Sequence, residues 1–223
     1  MSQIAENLKS VLAEIPHNVQ LVAVSKFHPA EHLMQAYQAG ARVFGESRVQ
    51  ELCEKRPLLP EDIEWHFIGH LQPNKVKYIA SFVSLIHAVD TPKLLKEIDK
   101  QGRRVGRRIP CLLQLHVAQE ETKFGFSIDE LLEFMESGVW REYDGAQIVG
   151  IMCMASNTDD ENQIDAEFEK AAETFCQIKN EYFQQDDDFC IRSWGMSDDF
   201  PIALRHGCTH VRIGTRIFGP REY

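Results

Sequence analysis

Lys26 closes the apolar run Leu21-Val22-Ala23-Val24, which places its ammonium where a buried strand opens into a loop. Burying the stem of a lysine lowers the amine pKa by desolvation, and a neutral amine attacks an aldehyde to form a Schiff base. Lys26 is therefore a candidate anchor for an aldehyde cofactor. The plainer alternative is a lysine that ends an edge strand and reaches water.

A second signal lies near the carboxyl terminus. Trp194-Gly195-Met196-Ser197-Asp198-Asp199 leads from a strand into a helix, and Val211-Arg212-Ile213-Gly214-Thr215 ends a strand before another helical turn. Glycines let backbone N–H groups approach an anion, the hydroxyls of Ser197 and Thr215 can donate to it, and helix starts add positive partial charge. Taken singly, Ser197 reads as a helix N-cap and Gly214 as a tight turn. Taken together, on adjacent loops, they read as a phosphate site. Arg212 stands between Val211 and Ile213, so by strand alternation it faces away from both, and into the barrel if those two pack against the outer helices. A buried guanidinium keeps its charge and needs an acceptor, either a ligand ring nitrogen or a structural carboxylate or carbonyl.

Other reactive side chains carry weaker signals. His66 and His70 are four residues apart, but the first falls in a strand and Gly69 intervenes, so the spacing does not suit a metal. Lys123, in Glu120-Glu121-Thr122-Lys123, either competes for an aldehyde, pairs with a carboxylate or sits in a solvated loop.

These residues need a frame to bring them together. Strand-like runs occur at Leu21–Val24, 42–44, 65–68, Leu85–Val89, 111–117, 148–154, 190–194 and 209–213, with helical spacing between them at 30–39, 92–100, 128–135 and 161–183. Eight strand–helix units in 223 residues predict an α/β fold, a single (β/α)8 TIM barrel spanning residues 1–223. An open doubly wound sheet is the alternative. In a parallel barrel, reactive groups gather at the carboxyl ends of the strands. Lys26, Glu46, His70, Asp90, Lys123, Ser156, Ser197 and Thr215 are all expected at that mouth.

Composition narrows the class. The chain is 43% hydrophobic and 26% charged, as ordinary globular domains are. A net charge of −10 offers no overall footprint for nucleic acid. The basic cluster Arg103-Arg104 and Arg107-Arg108 reads as a solvated short connection. Six scattered cysteines without a C-x-x-C pair suit a reducing compartment, and no run is long enough to span a membrane. Cytoplasmic residence is expected.

Six segments, AVSKFHP, FGESRVQE, WHFIGHLQPNK, EETKFG, GMSDDF and VRIGTRIFG, resemble in order the YggS/PROSC family of pyridoxal-phosphate homeostasis proteins. The resemblance implies a barrel similar to the barrel domain of alanine racemase (pyridoxal-phosphate fold type III), without that enzyme's C-terminal β-domain. It implies pyridoxal 5'-phosphate held as an internal aldimine on Lys26, phosphate contacts from Ser197, Gly214 and Thr215, and Arg212 beside the pyridine nitrogen. The racemases draw their second base, a tyrosine, from the additional domain, and here Tyr223 directly follows the eighth unit. The implied role is to bind, buffer or deliver the cofactor rather than to catalyse, as a monomer, with pyridoxal-phosphate-dependent apoenzymes as recipients. A slow racemase or lyase is the alternative, needing a second base from Lys123, His70 or a partner chain; a phosphosugar aldolase is a third. Phe27, Ser47, Arg48 and Trp194 depart from the family pattern, which usually has threonine, asparagine, tyrosine and methionine there. The shape of the mouth is expected to differ accordingly.

Overall fold

The computed structural model describes residues 2–119 and 124–220. Eight parallel strands close into a barrel in sequential order: β1 (Gln20–Val24), β2 (Val43–Glu46), β3 (Glu64–Phe67), β4 (Leu85–Val89), β5 (Ile109–Leu115), β6 (Ala146–Cys153), β7 (Ile191–Ser193) and β8 (His210–Ile213). β8 pairs back onto β1 in the register Val22↔Arg212 and Ala23↔Ile213, which closes the sheet. The expected (β/α)8 barrel is therefore present, and the open sheet is excluded.

Helices surround the strands: α1 (Gln3–Glu14), α2 (Ala30–Gln38), α3 (Val49–Lys55), α4 (Val76–Ile79), α5 (Pro92–Val105), α6 (Ile128–Glu136), α7 (Glu161–Tyr182), α8 (Phe200–Arg205) and α9 (Thr215–Phe218). Their limits follow from local chemistry. At α5 the Thr91 hydroxyl accepts the Leu94 N–H, Pro92 occupies the first turn, and Gly106 ends the helix at φ +66°. Ser127 and Glu130 form a capping box at α6.

α5 runs five residues past its expected end, so Arg103 and Arg104 lie in its last turn rather than in a connection. Arg103 pairs with Asp99, and Arg107 donates to the carbonyls of Ala80 and Val83 just beyond α4. Arg107 thus ties its connection to the end of α4, because carbonyls past a helix end need donors, whereas the Arg103–Asp99 pair lies within α5.

Two apolar clusters hold the fold. The larger lies between strands and helices and includes Leu21, Ala23, Phe44, Trp65 and Ile213. A smaller one, Leu85, Ala88, Leu112, Val149 and Met152, occupies the lumen. Leu21 and Ala23 belong to the outer cluster, so Val22 and Val24 face inward. Lys26 continues that inward phase.

Candidate functional site

The carboxyl ends of the strands open into a cavity of about 230 Å³. β1 and its loop contribute Val24, Lys26 and His28; Ile68 follows directly after β3 and Met154 directly after β6. The β7 loop adds Met196, Ser197 and Asp198, while β8 and its loop add Arg212, Gly214 and Thr215. Lys26, Ser197, Arg212, Gly214 and Thr215, picked from sequence at three separate places, line one space.

The two carboxyl-terminal loops touch directly. The Thr215 hydroxyl donates to Ser197 Oγ at 3.2 Å. Gly195, at φ +90°, turns the chain out of β7, and a Cβ there would stand 2.8 Å from Ala203 Cβ. Ser197 is not an N-cap: α8 starts at Phe200, and Asp199 occupies the cap position while accepting the Met196 N–H. The Ser197 side chain is thereby left on the cavity wall.

Behind Lys26 the loop is held by buried charge. Phe27 adopts φ +69°, a strained region for a residue with a side chain. Its N–H donates to Glu51 Oε1 at 2.6 Å. The Lys55 ammonium donates to Glu51 Oε1 at 2.6 Å, Glu46 Oε1 at 2.7 Å and the Ser25 carbonyl at 2.8 Å. Glu46 also accepts the Ser25 hydroxyl at 2.7 Å. Burial pushes the Glu46 carboxyl up to about 7 against the pull of Lys55 and Ser25. Among the described residues Glu46 Oε2 is buried without a hydrogen-bond partner, so nothing on that side offsets the burial.

Arg212 is 4% exposed. Its Nη1 donates to the Ser193 carbonyl and to Ser193 Oγ, both at 2.7 Å, and its Nη2 to the Cys153 carbonyl at 2.9 Å. Carbonyls and a hydroxyl thus supply the expected structural acceptors. Five N–H groups less these three leaves two for a ligand in the cavity it lines.

Several of the expected mouth residues do not line this cavity. Glu46 turns outward to Lys55, and Ser156 bonds Glu167 through both its N–H and its hydroxyl. His70 Nδ1 lies 2.6 Å from Asp90 Oδ2, with Phe124 stacked on the imidazole at 4.1 Å. His66 sits inside the barrel beside His87, away from His70, and no metal-ligand cluster occurs among the described residues. Lys123 lies outside the described residues. Trp194 is fully buried against Phe175, so that departure from the family pattern alters the outer core, not the mouth. Phe27 and Arg48, two other departures, meet each other: the guanidinium carbon lies 4.6 Å from the ring centre. His28, Glu51, Lys55 and His87 escaped the sequence reading, because their signal is a tertiary contact rather than a motif.

Residues 1–222 match the model of the family described as "Alanine racemase, N-terminal domain". The chain belongs to this family. Its relatives include proteins named pyridoxal phosphate homeostasis protein, and the similarity is extensive enough to make it a member of that group too. The one from Aquifex aeolicus is 37% identical over 92% of this chain and 88% of its own. The one from Schizosaccharomyces pombe is 35% identical over 92% of this chain and 85% of its own. Within the family, the solved structure of PipY from Synechococcus elongatus without pyridoxal phosphate superposes with a TM-score of 0.91. It is 34% identical, over 97% of this chain and all of that one. The same protein with pyridoxal phosphate bound gives 0.87. Alanine racemase from Bartonella henselae shares the fold, with a TM-score of 0.74 at 16% identity, over 98% of this chain and 58% of that one. None of the described helices is long and apolar enough to cross a membrane.

Proposed function

We propose that this chain binds pyridoxal 5'-phosphate and serves intracellular vitamin B6 homeostasis, buffering or delivering the cofactor in the cytoplasm as a monomer. The observation that carries the reading is the shared cavity, where a lysine, two hydroxyls in mutual contact and a buried guanidinium converge. That donor set fits the group. The amine of Lys26 is the attachment point for the aldehyde carbon, Ser197, Thr215 and the Gly214 backbone hold the phosphate, and Arg212 meets the ring nitrogen. PipY with pyridoxal phosphate bound and the names of the relatives support it.

Bound pyridoxal phosphate supplies an electron-withdrawing ring to whatever amine it carries. Arg212 opposes that use, because a permanent cation beside the ring nitrogen disfavours its protonation. The chain's own residues therefore favour holding the cofactor over strong chemistry at an amino acid, and apoenzymes that use pyridoxal phosphate are the natural recipients.

The test is visible absorbance of the purified protein before and after borohydride, with peptide mass mapping. A bleachable band, an adduct on Lys26 and loss of both in Lys26→Ala are expected. A protein that stays colourless and unmodified after incubation with pyridoxal phosphate overturns the reading.

A second reading, a slow racemase or lyase, is favoured by one observation: Asp90 orients His70 at the mouth, as a carboxylate orients a general base. Deuterium exchange at an amino-acid Cα, abolished by His70→Gln, would establish it; no exchange above background would remove it.

A further inference from the structure

A file of polar side chains runs down the barrel lumen away from the cavity. Arg212 Nη1 donates to Ser193 Oγ at 2.7 Å, Ser193 Oγ lies 2.9 Å from His87 Nδ1, and His87 Nε2 lies 2.9 Å from His66 Nδ1. Ser193 and His87 are fully buried and His66 is 4% exposed. His210 stacks on His66 with ring centres 6.1 Å apart, and these two rings line a cavity at the opposite, amino-terminal mouth. Nothing in the proposed cofactor chemistry uses Ser193, His87 or His66.

Its direction follows from one obligate donor. A guanidinium only donates, so Ser193 Oγ accepts from Arg212 and its own proton needs an acceptor. His87 Nδ1 is in place, which puts the His87 proton on Nε2, where it donates to His66 Nδ1. The reverse order would leave the buried Ser193 hydroxyl proton unsatisfied, at a full desolvation penalty. Every acceptor end in the file therefore faces Arg212. Among the described residues Arg212 makes no ion pair, and its bonded partners are two carbonyls and this hydroxyl.

We propose that Ser193 and His87 are positioning residues for Arg212, and that the Ser193–His87–His66 file transmits occupancy of the cavity to the amino-terminal mouth. The inference rests on the reading of Arg212 as a ligand contact. A ligand that draws on the two remaining N–H groups redistributes the donor strength of the guanidinium, and hydrogen bonds in series polarise one another. Other charged and titratable groups near the file are His210, which packs against both imidazoles, and Glu64 and Asp188, which line the far mouth. Burial holds His66, His87 and His210 neutral, as an uninterrupted file requires.

Imidazole ¹⁵N–¹H correlation spectra of the full chain test it, first without ligand and then with pyridoxal 5'-phosphate. Without ligand, His87 and His66 should show an unprotonated Nδ1 and a protonated Nε2. On loading, both rings should shift, although His66 lies at the other end of the lumen. Ser193→Ala should abolish the His66 response and weaken cofactor binding roughly five- to tenfold, whereas Ser193→Thr, which keeps the hydroxyl, should restore both. A protonated Nδ1 on either ring overturns the file. A His66 response that is absent while borohydride still labels Lys26, or that persists in Ser193→Ala, overturns the transmission. Failure of wild-type Lys26 to be labelled counts instead against the cofactor reading, and the tautomers without ligand still decide the file.

Discussion

The backbone N–H of Phe27 donates to Glu51 Oε1 at 2.6 Å, so the residue after Lys26 is clasped by α3 rather than by its own loop. The same carboxylate oxygen accepts the Lys55 ammonium at 2.6 Å. A positive φ at a phenylalanine persists only when its surroundings over-determine it, and this clasp is one determinant, with the Arg48 guanidinium over the ring another.

Glu51→Ala releases the clasp. The expected outcome is pyridoxal-phosphate affinity weakened by about tenfold, corresponding to about 1–2 kcal/mol for a lost charge-assisted bond. Glu51→Gln, which still presents an oxygen, should lose less. Spectroscopic titration of the two variants checks the order, and equal affinity of Glu51→Ala and wild type would show that the loop holds itself.

Lys55→Met removes the cation from a buried pair and leaves Glu46 desolvated. A destabilisation of about 3–5 kcal/mol, the usual cost of stranding one partner of a buried ion pair, is expected well above pH 7, and less near neutrality, where the carboxyl without Lys55 takes up a proton. Adding Glu46→Gln should recover a large part of it, because the orphaned charge is gone. Urea denaturation of the single and double variants measures the coupling.

Stability should fall as the pH drops below about 6.5. Burial lowers His66 to about 3 and His210 to about 4, with His87 lowered as well, whereas unfolded histidines titrate near 6.5. Between those values the three histidines bind more protons in the unfolded chain than in the native one, which outweighs the single proton that Glu46, raised to about 7, holds in the native state, so stability is present above 6.5 and is lost on acidification. Each fully titrating histidine contributes about 1.4 kcal/mol per pH unit. Denaturation at pH 7.5, 6.5 and 5.5 checks the slope, which should be shallower by about one proton in His210→Asn.

Gly214→Ala tests the closeness of β8 to β1. A Cβ would stand 3.0 Å from the Val24 carbonyl oxygen and 3.2 Å from Val24 Cβ, so the strand bearing Lys26 must yield by a few tenths of an ångström. Slower and weaker labelling of Lys26 is expected, with a stability loss of about 1–3 kcal/mol from overpacking. Unchanged labelling kinetics would mean that the site tolerates the shift.

Much of the frame was legible because barrel strands and amphipathic helices leave different periodicities. β4 coincides with the expected Leu85–Val89, and α2 and α7 end one residue short of expectation. β7 contracts to Ile191–Ser193, because apolar residues continue past the last strand pairing and Trp194 packs outward. Lys26, Ser197, Arg212, Gly214 and Thr215 were visible because each stands at a strand end or next to one, where a barrel presents side chains to a single mouth.

Residue types and strand spacing were enough to point to a parallel barrel, to the strand-end position of Lys26 and to the pairing of the two carboxyl-terminal loops, since these depend on local patterning and connectivity; the inward phase of Lys26 came from the packing of Leu21 and Ala23. Tertiary structure alone decided that Glu46 turns away from the mouth to Lys55, that Glu51 fixes Phe27, and that His66 joins His87 instead of His70. Those contacts span 9, 24 and 21 positions along the chain. They form where burial forces each polar group to find a partner, and only the closed barrel sets which partners lie within reach.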